Sequence, residues 1–179
     1  MNLAADRTDA AQARCAQAWT VLAGVLDPEV PALSVCDLGL VRQVQVDEGG
    51  TLAVVITPTY SGCPATELIE QQVREAVEQA GLGPVRIEMR RAPAWSSDWI
   101  SEEGRRKLRE YGIAPPHAAT PDTAPVRFAN RAVAAEPPVD CPHCGSHQTT
   151  RTSAFGSTAC KSLYRCLSCM EPFEYFKPI

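Results

Sequence analysis

The sequence lacks any long apolar run. Its longest apolar stretches, such as residues 52–56 and 38–41, cover only a few residues, whereas a helix that crosses a bilayer needs roughly 20. The N-terminal residues carry no basic region followed by an apolar stretch, which is the pattern of a secretory signal. We therefore expect no contact with a membrane and a location in the cytoplasm.

The chain also has no surplus of positive charge and no obvious catalytic constellation. Seventeen Lys and Arg stand against twenty-one Asp and Glu, a net charge of −4 that gives no support to a protein built to coat nucleic acid. The chain has three histidines, His117, His143 and His147, and all of them come late in the sequence. The N-terminal part therefore contains no histidine that could act as the base for a thiol nucleophile. A glycine-rich phosphate-binding loop is absent as well. These absences argue against an autonomous enzyme.

Cysteine, by contrast, is abundant, with eight residues of which five fall in the last thirty-nine. Cys141 and Cys144 form one C-x2-C pair, and Cys166 and Cys169 form a second pair after twenty-one intervening residues. Two such turns can complete a tetrahedral shell of four thiolates around one ion. The spacing therefore predicts a closed, structural zinc site made by these four cysteines.

Other assignments of the cysteines remain open. Iron would fit the same four thiolates, as in rubredoxin, because spacing does not distinguish iron from zinc. Two disulfides would require export to an oxidising compartment, which the missing signal argues against. Cys160 is left over by a full four-thiolate shell and is either a packing thiol or a further ligand near Cys63. Cys15 and Cys36 lie in apolar contexts and are predicted to pack in the core.

Hydrophobic periodicity divides the chain into two parts joined by a proline-rich segment. Residues 8–112 show patterns in the order α-β-β-α-β-α, which predicts a small α+β domain. The segment 113–140 is rich in Pro and Ala and predicts a linker. Residues 141–179 form the predicted zinc-ribbon-like module, whose small core a metal would stabilise. The individual elements are expected at 8–26 (helix), 40–46 and 51–57 (hairpin), 65–80 (helix), 85–89 (strand) and 101–111 (helix).

Cys63 stands alone at the predicted entrance of a helix. It follows Tyr60, Ser61 and Gly62, and Pro64 suits the first helical position. Unpaired backbone N–H groups and the dipole at a helix N-terminus favour the thiolate over the thiol. We therefore expect Cys63 to act as a thiolate that attacks an electrophile or binds a metal, against the alternative of a buried apolar cysteine.

Three motifs of the N-terminal domain resemble, in the same order, those of a known family. Residues 27–30 read Asp-Pro-Glu-Val, residues 37–41 read Asp-Leu-Gly-Leu-Val, and residues 59–64 read Thr-Tyr-Ser-Gly-Cys-Pro. Together they are similar to the signature of the SufT-like iron–sulfur assembly proteins. The tail, with Phe-Gly-Ser-Thr-Ala-Cys-Lys at 155–161 and Glu-Pro-Phe at 171–173, resembles the PaaD family, whose members are encoded with bacterial phenylacetyl-CoA epoxidase.

The resemblance implies an accessory or assembly factor for aerobic phenylacetate catabolism. It implies that Cys63 contacts a transient iron–sulfur cluster and that Asp27, Glu29, Asp37 and Thr59 shape the pocket around it. It also implies a homodimer, with the oxygenase or the iron–sulfur reductase of the epoxidase as partner. Because such a cluster ordinarily takes four protein ligands, a single thiolate has to share it with a second copy or with a client.

Two other functions remain open on the sequence alone. A structural subunit would dock on the oxygenase without handling iron. A zinc ribbon can also bind nucleic acid, but residues 141–179 carry four Lys and Arg against two Glu, a formal charge of only +2. So small a charge offers few phosphate contacts, which makes a nucleic-acid partner the weakest of the three interpretations.

Overall fold

The computed structural model describes the backbone of residues 3–60, 62–117 and 138–179, and the side chains of these ranges from residue 8 onward. Contacts divide the chain into two units, one of Met1–Lys107 with Ile179 and the other of Leu108–Pro178. The predicted linker, 113–140, falls largely outside the described residues, and the predicted domain boundaries stay predictions. In the described ranges we find no helix that is both long and apolar enough to cross a membrane.

The first unit follows the predicted element order. Its α-β-β-α-β-α succession is confirmed, with α3 running three residues beyond Lys107. The elements are α1 (Leu3–Leu22), β1 (Val41–Val46), β2 (Leu52–Ile56), α2 (Thr66–Gln79), β3 (Val85–Met89) and α3 (Glu102–Glu110).

The sheet of the first unit has the order β1-β2-β3. Strands β1 and β2 pair antiparallel, as the predicted hairpin requires, and β2 pairs parallel with β3. The parallel pair needs a crossover connection, which α2 supplies. All five residues of β2 are buried, which explains why this strand is a continuous apolar run rather than an alternating one.

Helix α1 differs from its prediction at both ends. The periodicity of the sequence predicted a helix over 8–26, whereas the helix occupies Leu3–Leu22. The chain leaves the helix early because the residues that follow pair with another segment: Leu26 bridges Ser34, and the amide of Asp27 donates to the carbonyl of Leu33 (2.8 Å). This pairing matters for the site because it carries Asp27.

The second unit contains a four-stranded sheet of order β4-β7-β6-β5. Its strands are β4 (Ile113–Ala114), β5 (Thr149–Ser153), β6 (Lys161–Cys166) and β7 (Pro172–Phe176). Aromatic rings form its core: Tyr164 stacks on Phe173 and meets Tyr175 edge-on, with centroids 5.8 and 5.5 Å apart. Cys141 and Cys166 are buried in the same cluster, so two of the four predicted metal ligands are part of a small hydrophobic core.

Candidate metal centre and candidate cysteine site

The four cysteines of the two C-x2-C pairs come together in the second unit. The Sγ atoms of Cys141, Cys144, Cys166 and Cys169 all lie within 4.8 Å of one another. Those of Cys141 and Cys169 are 3.7 Å apart, and those of Cys144 and Cys166 are 3.6 Å apart. A tetrahedron with metal–sulfur bonds of about 2.3 Å has edges of about 3.8 Å, so these sulfurs have nearly the spacing that one tetrahedral ion requires.

Tight turns aim each pair of sulfurs inward. In the first turn the amide of Gly145 donates to the carbonyl of Cys141 (2.8 Å), and Gly145 has a φ of 73° that favours glycine. In the second turn Met170 takes the same left-handed conformation, with a φ of 66°, and the amide of Cys166 donates to the carbonyl of Glu171 (3.0 Å). The backbone is therefore shaped for the metal site on both sides.

Backbone amides also point at the sulfurs. The N–H groups of Cys169 and Ser168 both donate to the Sγ of Cys166 at 3.4 Å. These hydrogen bonds, led by that from Cys169, lower the pKa of the Cys166 thiol to about 6, although the burial of Cys166 opposes them. Hydrogen bonds of this kind favour thiolate, which is the form that binds a metal.

Cys63 occupies the loop between β2 and α2. Its carbonyl accepts from the Oγ1 of Thr66 (2.8 Å) and from the Thr66 amide (3.2 Å), and its own amide donates to the carbonyl of Tyr60 (3.2 Å). Ala65 is the N-cap of α2, so Cys63 precedes the cap by two positions. Its side chain is half-buried, and none of the eight cysteines forms a disulfide.

The backbone groups at the start of α2 act on Cys63 in the expected direction, but other groups outweigh them. Burial raises the pKa of the Cys63 thiol above its ordinary value. The charges of Glu29 and Asp27 raise the pKa further, and a backbone hydrogen bond from Ala65 and one with Thr66 only partly offset them. Burial and the charges of Glu29 and Asp27 therefore act against the thiolate form of Cys63.

Asp27 and Glu29 belong to one turn. Asp27 is buried, and its Oδ1 accepts from the amides of Glu29 and Val30, each at 2.8 Å. This Asx turn is the local role that the residue type suggests, and it also directs the Glu29 backbone. Thr59 lies half-buried four residues before Cys63. The role of all three residues as a pocket for cargo stays a prediction.

Asp37 has a different set of neighbours. Its Oδ2 accepts from the amide (3.0 Å) and the hydroxyl (2.9 Å) of Ser34 and forms an ion pair with the Nζ of Lys107 at 2.7 Å. Burial acts to raise the pKa of Asp37, but the hydrogen bonds of Lys107 and Ser34 and the charge of Lys107 outweigh it, so the pKa lies below its usual value. The sequence analysis missed Lys107, which is 70 residues away.

The remaining cysteines lie apart from the four-sulfur group. Cys160 is buried, and its Sγ is 3.0 Å from the Oγ1 of Thr158. Cys15 and Cys36 are half-buried, and burial together with the charge of Asp37 raises the pKa of Cys36 to about 11. The environment of Cys36 therefore disfavours its thiolate.

Two family models match the chain in adjacent regions. Residues 16–89 match a model of an iron–sulfur cluster assembly protein, and residues 126–177 match a model of the PaaD zinc beta ribbon domain. The second region contains the four sulfurs, so the predicted metal site and the matched ribbon coincide. The fold class predicted from the sequence, an α+β domain followed by a zinc-ribbon-like module, is confirmed.

Individual relatives extend these matches. The domain of unknown function DUF59 from Bacillus anthracis shares the fold of the first unit, with a TM-score of 0.53 and 24% identity over 56% of this chain and 96% of that one. An Fe-S protein maturation auxiliary factor of Porphyromonas gingivalis is 39% identical over 49% of this chain and 84% of its own length. A protein of Escherichia coli, named as a putative subunit of 1,2-phenylacetyl-CoA epoxidase, is 47% identical over 90% of this chain and 91% of its own length. The chain therefore belongs to the PaaD family.

Proposed function

We propose that the protein is an accessory assembly factor of the phenylacetyl-CoA epoxidase system in aerobic phenylacetate catabolism. It would deliver iron or an iron–sulfur cluster to a component of the epoxidase, and no catalytic residue is assigned to it. The observation that supports this most is the thiol of Cys63 beside the carboxylates of Asp27 and Glu29, within a region that matches iron–sulfur assembly proteins. The proposed location is the reducing cytoplasm, where cysteines stay out of disulfides as these eight do.

The chemistry of the Cys63 site suits a cargo that comes and goes. A protonated thiol is a poor metal ligand, but an arriving iron cation replaces the proton. The two carboxylates, whose charges disfavour a thiolate without a bound cation, attract the iron cation. Binding therefore releases a proton, and loss of the cargo restores a stable thiol. One thiolate does not complete the shell of a cluster, so we propose that a second copy of the chain or the client supplies the remaining ligands.

The four-sulfur site has a separate proposed role. We assign it to a structural zinc ion, because four thiolates at this spacing close the shell and leave no position for a substrate. An iron ion in the same shell is the alternative, and metal analysis of protein purified without added iron distinguishes the two. Such a site would stabilise the second unit, whose aromatic core includes two of the ligands.

The decisive experiment compares Cys63→Ser with Cys160→Ser under anaerobic conditions. Both variants lose one thiol outside the four-sulfur group, so they are matched for cysteine content. After incubation with ferrous iron and sulfide, we expect the wild type and Cys160→Ser to retain iron and sulfide and Cys63→Ser to lose most of both. We also expect Cys63→Ser, but not Cys160→Ser, to abolish growth on phenylacetate and to lower the iron content of the epoxidase.

A second candidate function follows from the name of the Escherichia coli relative, which describes a component of the epoxidase itself. In that case the protein docks on the oxygenase and never handles iron. A stable stoichiometric complex with the oxygenase, together with equal growth and equal epoxidase iron for Cys63→Ser and the wild type, would establish this function and overturn the first.

A further inference from the structure

The ion pair between Asp37 and Lys107 lies at the centre of a connected set of contacts in the first unit. The Asp37 carboxylate holds Ser34 through two hydrogen bonds and Lys107 through an ion pair. Only 11% of its side chain is exposed, against 34% for Lys107. The Oδ1 atom of Asp37 is also 3.5 Å from the hydroxyl of Ser101, which caps α3 by accepting from the amide of Gly104 (2.9 Å).

Backbone contacts enclose the same turn. The amide of Ser101 donates to the carbonyl of Asp37 (2.9 Å), and the Nε1 of Trp95 donates to the carbonyl of Leu38 (2.9 Å). Gly104 packs so closely that an added Cβ would lie 2.9 Å from the Asp37 carbonyl oxygen. The turn that contains Asp37 is therefore held from one side by the segment between Trp95 and Lys107.

From the other side the turn holds the segment that carries the acidic site residues. The amide of Val35 donates to the carbonyl of Val25 (2.9 Å), Ser34 bridges Leu26, and the amide of Asp27 donates to the carbonyl of Leu33. Asp27 in turn fixes the Glu29 amide through its carboxylate. A set of contacts thus runs from Lys107 through Asp37 and Ser34 to the paired segment that carries Asp27, and from the Asp27 carboxylate to the amide of Glu29.

We propose that Asp37 and Lys107 are positioning residues, which hold the Asp27 and Glu29 carboxylates against Cys63 and do not themselves contact the cargo. This inference rests on the proposed site at Cys63 and reassigns Asp37, which the family resemblance places in the pocket. Both carboxylate oxygens of Asp37 already have protein partners, so binding a metal would require Oδ2 to release Lys107 and Ser34 or Oδ1 to release Ser101. The path also gives Lys107 a role that no local motif of the sequence indicates.

The test measures Cys63 in the protein without any iron or sulfide. The tryptic peptide 43–74 contains Cys63 as its single cysteine, so mass spectrometry follows the alkylation of this thiol by iodoacetamide without interference from the other seven. Asp27→Asn and Glu29→Gln remove the nearby charges directly. We expect each to increase the alkylation rate at about pH 8 by about threefold, because a lost negative charge favours the thiolate.

Lys107→Met is the critical variant, since Lys107 is partly exposed and its loss should not prevent folding. We expect it to raise the alkylation rate of Cys63 in the same direction, by about twofold, and Lys107→Arg to restore the wild-type rate. In an Asp27→Asn, Glu29→Gln background, the Lys107→Met change should have no further effect, because the charges through which it acts are gone.

Two outcomes would overturn the inference. If Lys107→Met lowers the melting temperature but leaves the alkylation profile of Cys63 unchanged, the ion pair is only structural. If the effect of Lys107→Met persists in full without the charges at 27 and 29, it reaches Cys63 by another route. The alkylation experiments contain no iron or sulfide, so their results do not depend on whether Cys63→Ser loses iron. The positioning role of Asp37 and Lys107 and the cargo-binding role of Cys63 can therefore fail separately.

Discussion

The two cysteine sites of this chain differ in how many sulfurs they bring together. In the second unit four sulfurs lie within 4.8 Å of one another, and backbone amides of the turn donate to the Sγ of Cys166. In the first unit Cys63 lies in the loop before α2, where burial and then the charges of Glu29 and Asp27 raise the pKa of its thiol. The first arrangement offers four ligands to one ion, whereas Cys63 offers one sulfur. The number of sulfurs and the groups around them, more than the presence of a cysteine, determine what each site can bind.

The largest effect that separates the two sites is expected from Cys141→Ser. Removing one ligand opens the shell, and structural zinc sites of this type contribute about 10–16 kcal/mol of apparent binding free energy. We expect the zinc content to fall from about one per chain to nearly none. The aromatic core of the second unit, which includes Cys141, should lose its near-ultraviolet circular dichroism.

Cys63→Ser is the matched control for this loss. It removes a half-buried thiol from the first unit and should leave the zinc content unchanged. Zinc retained in Cys141→Ser, or lost in Cys63→Ser, would erase the distinction between a resident and a transient site. Iron in place of zinc in the wild type would keep the distinction and change only the identity of the resident metal.

The features that the sequence predicted well are local. The C-x2-C spacing locates the four sulfurs because each pair is shaped by a turn of a few residues, and the alternation at Val85–Met89 marks β3 because period-2 patterns need no distant partner. The helix expected at 101–111 also begins with a local feature, since the hydroxyl of Ser101 accepts from the amide of Gly104 in the first turn of α3.

The features that sequence reasoning missed depend on residues far apart in the chain. Burial and carboxylates more than thirty positions away raise the pKa of Cys63, and they outweigh the local backbone hydrogen bond that lowers it. The partner of Asp37 is 70 residues distant. Two tryptophans also have distant partners: the Nε1 of Trp95 donates to the carbonyl of Leu38, and the ring centroid of Trp99 lies 3.6 Å from the guanidinium carbon of Arg42.

A smaller effect, confined to the first unit, is expected from Gly39→Ala. Gly39 has a φ of 65°, and a Cβ there would lie 2.5 Å from the Trp99 carbonyl oxygen. We expect a loss of about 2–4 kcal/mol in unfolding free energy from backbone strain and overpacking, with the zinc content unchanged. All three tryptophans lie in the first unit, at positions 19, 95 and 99, so their fluorescence in a denaturant titration reports this unit.

Gly50→Ala serves as the control for backbone strain alone. Gly50 has a φ of 80°, but an added Cβ would have no neighbour within 4 Å. We expect a loss of only about 1–2 kcal/mol. Equal losses of unfolding free energy in Gly39→Ala and Gly50→Ala would show that the close packing of Gly39 against Trp99 adds nothing to the cost of backbone strain.

The smallest effect is the pH dependence of the Asp37–Lys107 ion pair. The pKa of Asp37 is lowered in the folded protein, so its contribution to stability is present above the ordinary pKa of about 4 and disappears as the pH falls through the lowered value. Lys107→Met should cost about 1 kcal/mol at neutral pH, a figure reduced for the partial exposure of Lys107, and the difference from the wild type should vanish in acid. Denaturant titrations followed by tryptophan fluorescence across a pH series measure this difference in unfolding free energy.

Arg106→Met is the control, because Arg106 pairs with the exposed Glu103 and the stability of this variant should depend less on pH. A difference that persists undiminished in acid would mean that Lys107 stabilises the first unit by packing and not by charge.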